Sequence, residues 1–121
     1  MGEFVPTVIF DFDGVIHSYK SGWKGPDVIP DPPVEGIKEA IAEIRAAGYK
    51  VVVVSARCYL EGGMQAITDY LDDYGIVVDG VTDEKPPAIV TVDDRAIYFD
   101  GKASELLEKI KNFAPWNNQE V

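Results

Sequence analysis

The sequence predicts an α/β protein: one doubly wound, parallel sheet in three layers, with residues 1–121 forming a single domain. Three observations carry this reading. Short continuous apolar runs alternate with segments of helical periodicity, as in sheets whose strands are buried on both faces. Glycines stand where the helical segments stop. Hydrophobic residues make up 46% of the chain, enough to bury a core, which excludes wholesale disorder.

Thr7 to Phe12 reads as the first buried strand, rich in branched and aromatic residues. Residues 17–33 follow as a long ordered loop, because Lys24-Gly25-Pro26 and Pro30-Asp31-Pro32-Pro33 exclude regular helix. Val34, Ile37, Ile41 and Ile44 recur at helical spacing, opposite Glu35, Lys38, Glu39, Glu43 and Arg45, and Gly48 ends that helix. Tyr49 to Val54 is a second strand. Glu61 to Tyr74 is a helix with Met64, Ile67, Tyr70 and Leu71 on one face and Gly75 as its stop. Ile76 to Val78 is expected as a third strand, Thr82 to Pro87 as a polar loop, and Ala88 to Val92 as a fourth strand. Ile97 to Phe99 is a candidate fifth. Ala103 to Phe113 forms a last amphipathic helix with Leu106, Leu107, Ile110 and Phe113 inward, and residues 116–121 form a frayed tail.

The charge narrows the function classes. Twenty-one acids against 11 bases give a formal net charge of -10. Such a surface repels nucleic-acid backbones and anionic membranes, which favours a small molecule over nucleic acid as the substrate. The single cysteine, Cys58, forms no disulfide within the chain, which fits a reducing compartment. There is neither a signal-peptide pattern nor an apolar stretch near the ~20 residues of a membrane helix. A soluble cytoplasmic protein is the expectation.

The chemistry gathers behind the strands. Asp11 and Asp13 stand where the first apolar run ends, just before Gly14. Two acids at a strand exit have no structural need and repel unless a cation or a phosphoryl ligand compensates them. Their spacing puts both on one face of an extended chain. Ser55-Ala56-Arg57 follows the second strand and Asp93-Asp94-Arg95 the fourth, while Lys85 lies in the loop between the third and fourth. Ligands of open parallel sheets bind at the carboxyl ends of the strands. Carboxylates, a hydroxyl and cations around one crevice suit a hard divalent cation with a phosphoryl group.

In this order the motifs resemble those of the haloacid dehalogenase-like (HAD) phosphohydrolase superfamily. Asp11-Phe12-Asp13-Gly14-Val15 is similar to its first motif, Ser55 to the second, Lys85 to the third and Asp93-Asp94 to the fourth. The resemblance covers about Val8 to Phe99. It implies an HAD-like Rossmannoid core and hydrolysis of a phosphomonoester through an aspartyl-phosphate. Asp11 would be the nucleophile and Asp13 the general acid/base, with a pKa raised by carboxylate crowding. Ser55 and Lys85 would bind and balance the phosphoryl group. Mg2+ would be held by Asp11, the Asp13 carbonyl and Asp93 or Asp94. Neither interval between motifs has room for a cap domain, so a capless member is expected, its site open unless a neighbouring subunit in a homo-oligomer covers it. The Ser-Ala-Arg and Asp-Asp-Arg triplets also look similar to those of the phosphatase domain of polynucleotide kinase-phosphatases, where an arginine grips phosphate. Gly14, Ser55, Ala56, Arg57 and Lys24 are therefore the candidate substrate-binding residues.

The plainer readings stay open beside these. Ser55 alone reads as a cap on the turn that follows it, Arg57 as a partner for a surface acid, and Asp93-Asp94 as a turn. Lys102 rivals Lys85. His17, Tyr19, Lys20, Trp23 and Lys24 make loop 17–33 a specificity wall beside the nucleophile, although no chemical role is expected for His17 or Cys58, and Trp23 reads equally as a pin for its loop. Two other functions fit the element pattern: a phosphoacceptor module of the response-regulator receiver type, and a catalytically silent binding domain. Phosphotransfer to an acceptor other than water also stays open.

Overall fold

Four parallel strands form one sheet in the computed structural model, which describes residues 5–117. They are β1 (Thr7–Asp11), β2 (Lys50–Val54), β3 (Gly80–Thr82) and β4 (Val90–Val92), in the spatial order β3-β2-β1-β4. Helix α1 (Ile37–Ala46) joins β1 to β2, and α2 (Gly63–Tyr74) joins β2 to β3. Helix α3 (Leu106–Lys111) follows β4, behind a 3-10 turn at Ala103–Glu105. The parallel α/β architecture is the expected one, with no extra domain among the described residues.

The strand order bears on two matters. Connections first run outward from β1 through β2 to β3, then jump back across β1 to β4. The crevice at such a reversal, here between the carboxyl ends of β1 and β4, is where doubly wound sheets bind ligands. Receiver domains use the order 2-1-3-4-5. The order here, with β1 between β2 and β4, is a different one.

Val8, Phe10 and Phe12 from the β1 segment and Val51 and Val53 from β2 pack with Ile41 of α1 and with Ile67, Tyr70 and Leu71 of α2. Ile9 and Val52, on the opposite face, are buried too. Phe12 is fully buried against Tyr70, edge to face at 5.3 Å, so the chain segment that carries the two acids is fixed from below.

Several boundaries differ from expectation. The third strand is Gly80–Thr82, not Ile76–Val78. Ile76 instead turns into the core after donating to Leu71 O, which closes α2. Asp79 then occupies the ladder position, its carboxylate accepting from Val51 N at 2.8 Å and its own N–H donating to Val51 O. The α2 helix begins at Gly63 rather than Glu61, because a Cβ at Gly63 would lie 1.8 Å from Arg57 O; only glycine lets the helix start so close to that turn. Met64 is exposed rather than inward. Ile97 to Phe99 is not a strand, and Tyr98 and Phe99 are exposed. Helix α3 is shorter than expected, with Leu107 and Ile110 exposed and Leu106 half-buried. Among the described residues no helix is long and apolar enough to cross a membrane. The expected tail straddles the boundary: Trp116 and Asn117 make hydrogen bonds, and 118–121 lie outside the described residues.

Candidate active site

Asp11 ends β1, and Asp93 and Asp94 directly follow β4, the neighbouring strand. Parallel pairing therefore brings three carboxylates to one point, with an oxygen of each within 4.8 Å of the others. Gly14 permits the closest approach. A Cβ there would lie 2.0 Å from Asp94 Oδ2, and the residue has φ +86°, so glycine is required twice over.

The acids are under electrostatic load. The Asp94 side chain is only 2% exposed, and among the described residues neither of its oxygens accepts a hydrogen bond from a donor group. Arg95 Nε stands 3.9 Å from Oδ2, and Arg95 N donates to Asp93 Oδ1 at 2.9 Å. Burial, then the Asp93 and Asp94 charges, push the Asp11 carboxyl up to about 8. Burial raises Asp94 as well. A buried carboxylate lacking donors beside two more acids is the donor set a hard cation completes, and this cluster can hold a metal ion.

Asp13 has the opposite surroundings. Arg57 holds it bidentately, Nε donating to Oδ2 at 2.8 Å and Nη2 to Oδ1 at 3.1 Å. His17 Nδ1 donates to Oδ1 at 2.8 Å. That tautomer is set by Asp31 N, which donates to His17 Nε2 at 3.2 Å. Burial alone would raise Asp13, but the His17 and Arg57 hydrogen bonds and the positive charge together hold it below the usual carboxylate range. The crowding expected to raise Asp13 acts on Asp11 instead. The extended chain stops at Asp11, and Phe12 O accepts from both Ile16 N and His17 N, so the two acids turn to different neighbours.

Arg57 was a candidate phosphate grip. It is 1% exposed, and its donors point elsewhere: besides Asp13, Nη1 donates to the carbonyls of Gly25, Pro26 and Val28 at 2.8, 3.0 and 3.2 Å. Its guanidinium also covers the Trp23 ring at 4.6 Å. Arg57 thus ties loop 17–33 to Asp13. The loop is secured again by Asp31, which accepts from Ser21 N and Oγ and whose carbonyl accepts from Tyr70 Oη. Ser55 Oγ accepts from Arg57 N at 3.1 Å and caps the 3-10 turn Ala56–Tyr59, the plainer role foreseen for it.

The remaining candidates are dispersed. Ala56 and Lys24 are exposed. Lys85 lines a groove with Lys50, Val52, Asp79 and Thr82, and among the described residues no hydrogen bond or ion pair joins it to the acids. Lys102 is exposed and closes a turn with Asp100. The residue that sequence reasoning set aside is His17, fully buried between two aspartates. The available signal was its position, four residues after Asp13 at the mouth of a proline-rich loop.

No protein-family model matches the chain, and no curated protein matches it. Solved structures similar in fold include two that bear on this chain. A chain of the Pnkp1/Rnl/Hen1 complex superposes over 88% of this chain and 35% of its own length, with a TM-score of 0.51 and 22% identity. A chain of the Pnkp1/Rnl/Hen1 RNA repair complex matches over 88% and 32%, with a TM-score of 0.51 and 21% identity. This chain therefore spans about a third of those chains, and the likeness shows the parallel α/β fold.

Proposed function

We propose that this chain is a divalent-cation-dependent phosphohydrolase of phosphomonoesters, with Asp11 as nucleophile. The observation that supports it most is the meeting of Asp11, Asp93 and Asp94 at the β1–β4 switch point, with the buried Asp94 oxygens lacking donors. Asp11, Asp93 or Asp94 and the Asp13 carbonyl would hold Mg2+, which supplies the positive charge that keeps Asp11 ionised and offsets charge on the phosphoryl oxygens.

In the first step an Asp11 oxygen attacks phosphorus and the ester P–O bond breaks. The leaving oxygen takes a proton from Asp13. Asp13 is ionised at rest, so that proton arrives with the substrate as its monoanion, whose second pKa is about 6. In the second step water attacks the aspartyl-phosphate, Asp13 accepts the water's proton, the P–O bond to Asp11 breaks, and that proton passes from Asp13 to the departing phosphate, which leaves as its monoanion and returns Asp13 to the ionised state. Arg57 and His17 hold the Asp13 carboxylate in one orientation throughout. The net charge of -10 favours a small phosphorylated substrate over a nucleic-acid backbone.

Hydrolysis of p-nitrophenyl phosphate, with and without Mg2+ and beside Asp11→Asn, tests the reading. Metal-dependent turnover lost in the variant is expected. Substantial activity in Asp11→Asn, or none in the metal-loaded wild type with any phosphomonoester, would refute it.

A further inference from the structure

The segment after α3 returns to the acids. Trp116 Nε1 donates to the Gly14 carbonyl at 2.7 Å, and Asn117 Nδ2 donates to the Ser18 carbonyl at 3.4 Å, joining positions 102 and 99 residues apart. Gly14 touches both partners: its carbonyl takes the indole, and its Cα lies against Asp94. The indole is thus one residue from Asp13 and one contact from the acidic cluster. Its N–H is satisfied, yet Trp116 remains 55% exposed. Trp23 has the same character: 49% exposed, and fixed through Arg57, which is itself bonded to Asp13. Two large apolar rings, each about half exposed, are therefore held near the Asp13–Gly14 turn by polar contacts, Trp23 with one face covered by Arg57.

We infer that Trp116 is a specificity-determining residue. It roofs the capless site from within the same chain, in place of a neighbouring subunit, and stacks on the flat ring of an aryl or heteroaryl phosphate, with Trp23 as a second surface. This rests on the phosphohydrolase reading. An indole oriented beforehand by its N–H loses little freedom when a ring settles on it, so the contact adds affinity for the leaving group rather than speeding the chemical step.

The test compares wild type, Trp116→Ala and Trp116→Phe on 2-naphthyl phosphate and on β-glycerol phosphate. Trp116→Ala is expected to raise KM for the naphthyl ester about tenfold, the loss one stacking contact gives on truncation. Its kcat for that ester and its KM for glycerol phosphate stay unchanged, and Trp116→Phe keeps most of the naphthyl affinity. In a Trp23→Phe background, phenylphosphonate should quench the Trp116 emission and methylphosphonate should not. An equal change for both esters, or no quenching by phenylphosphonate in a protein that hydrolyses both, overturns the assignment and leaves the phosphohydrolase reading standing. No hydrolysis of either ester overturns both.

Discussion

Arg57→Met removes the side chain on which both Asp13 and loop 17–33 depend. The guanidinium is 1% exposed and paired bidentately with a carboxylate whose side chain is 22% exposed. Breaking a buried pair from one side costs about 3–5 kcal/mol, mainly through the charge left behind. Asp13 keeps His17 and some solvent, so the low end applies, about 3 kcal/mol. The three loop carbonyls that lose Nη1 lie near the surface and can turn to water. At about 4 °C per kcal/mol for a chain of this size, Tm falls by about 12 °C. Urea unfolding followed by circular dichroism at pH 7 measures the loss. The companion variant is Asp13→Asn in the same background. It removes the orphaned charge, so the double variant is expected to lose at least about 1 kcal/mol less than the sum of the singles. Because Asp13 is held below its ordinary value, the pair's contribution is present above about pH 4 and fades as pH falls through the folded value. The wild-type advantage over Arg57→Met therefore shrinks in acid. Additive losses, or a cost for Arg57→Met under about 1 kcal/mol, would refute the account of Arg57 as a buried tie.

The other expectations concern the acid cluster. Asp11 is raised to about 8, so the folded protein binds the extra proton between about pH 4 and 8. Without cation, stability therefore falls as pH rises through that window, and chemical denaturation across it should show a slope that Asp11→Asn abolishes; a flat profile in the wild type contradicts the crowding. Asp94→Asn is expected to stabilise the cation-free protein by about 1 kcal/mol by relieving the repulsion, and to erase any rise in Tm on adding MgCl2. Thermal scans with and without the salt decide this, and an undiminished Mg2+ shift would remove Asp94 from the cation site. Gly14→Ala places a methyl 2.0 Å from Asp94 Oδ2 at φ +86°. It should cost about 2 kcal/mol or more and eliminate turnover, and a variant as stable and active as wild type would show that the Asp94 approach is unnecessary.

Patterns set by single residues were legible in the sequence where burial and local chemistry agree. The β1 segment and Val51 to Val53 are apolar because both sheet faces are covered, and Asp11 stands out as an acid at the end of the first of them. Ile76 to Val78 misled because a branched run after a glycine looks like a strand, while the pairing was taken up by an aspartate bonded to Val51 N and to Arg45. No local pattern reports such a tertiary bond. His17 was passed over for the same reason. Its role comes from Asp31, 14 residues away, and from Arg57 across the sheet, both brought beside Asp13 only by the fold. Lys85 had the right place in the order of motifs, but its loop runs along the groove beside Lys50 and Asp79.

The two acids of Asp11-Phe12-Asp13 show why the reading of the site must be made in three dimensions. Two residues apart, they end in opposite electrostatic settings: one driven up by burial and by Asp93 and Asp94, the other driven down by His17 and Arg57. The pair is divided between two environments that act on a carboxylate in opposite directions. Here the division has a structural cause. Phe12 is locked into the core between them, and the chain leaves the extended form at that residue, so Asp11 stays with the β4 acids while Asp13 swings to Arg57 of the β2 turn and His17 of loop 17–33. Arg57 and His17 hold the second acid as a fixed negative charge, and the same bonds tie loop 17–33 to the end of β1. The first acid has no such donors, and the acids it faces across the β1–β4 crevice leave it the group whose charge a cation would have to offset.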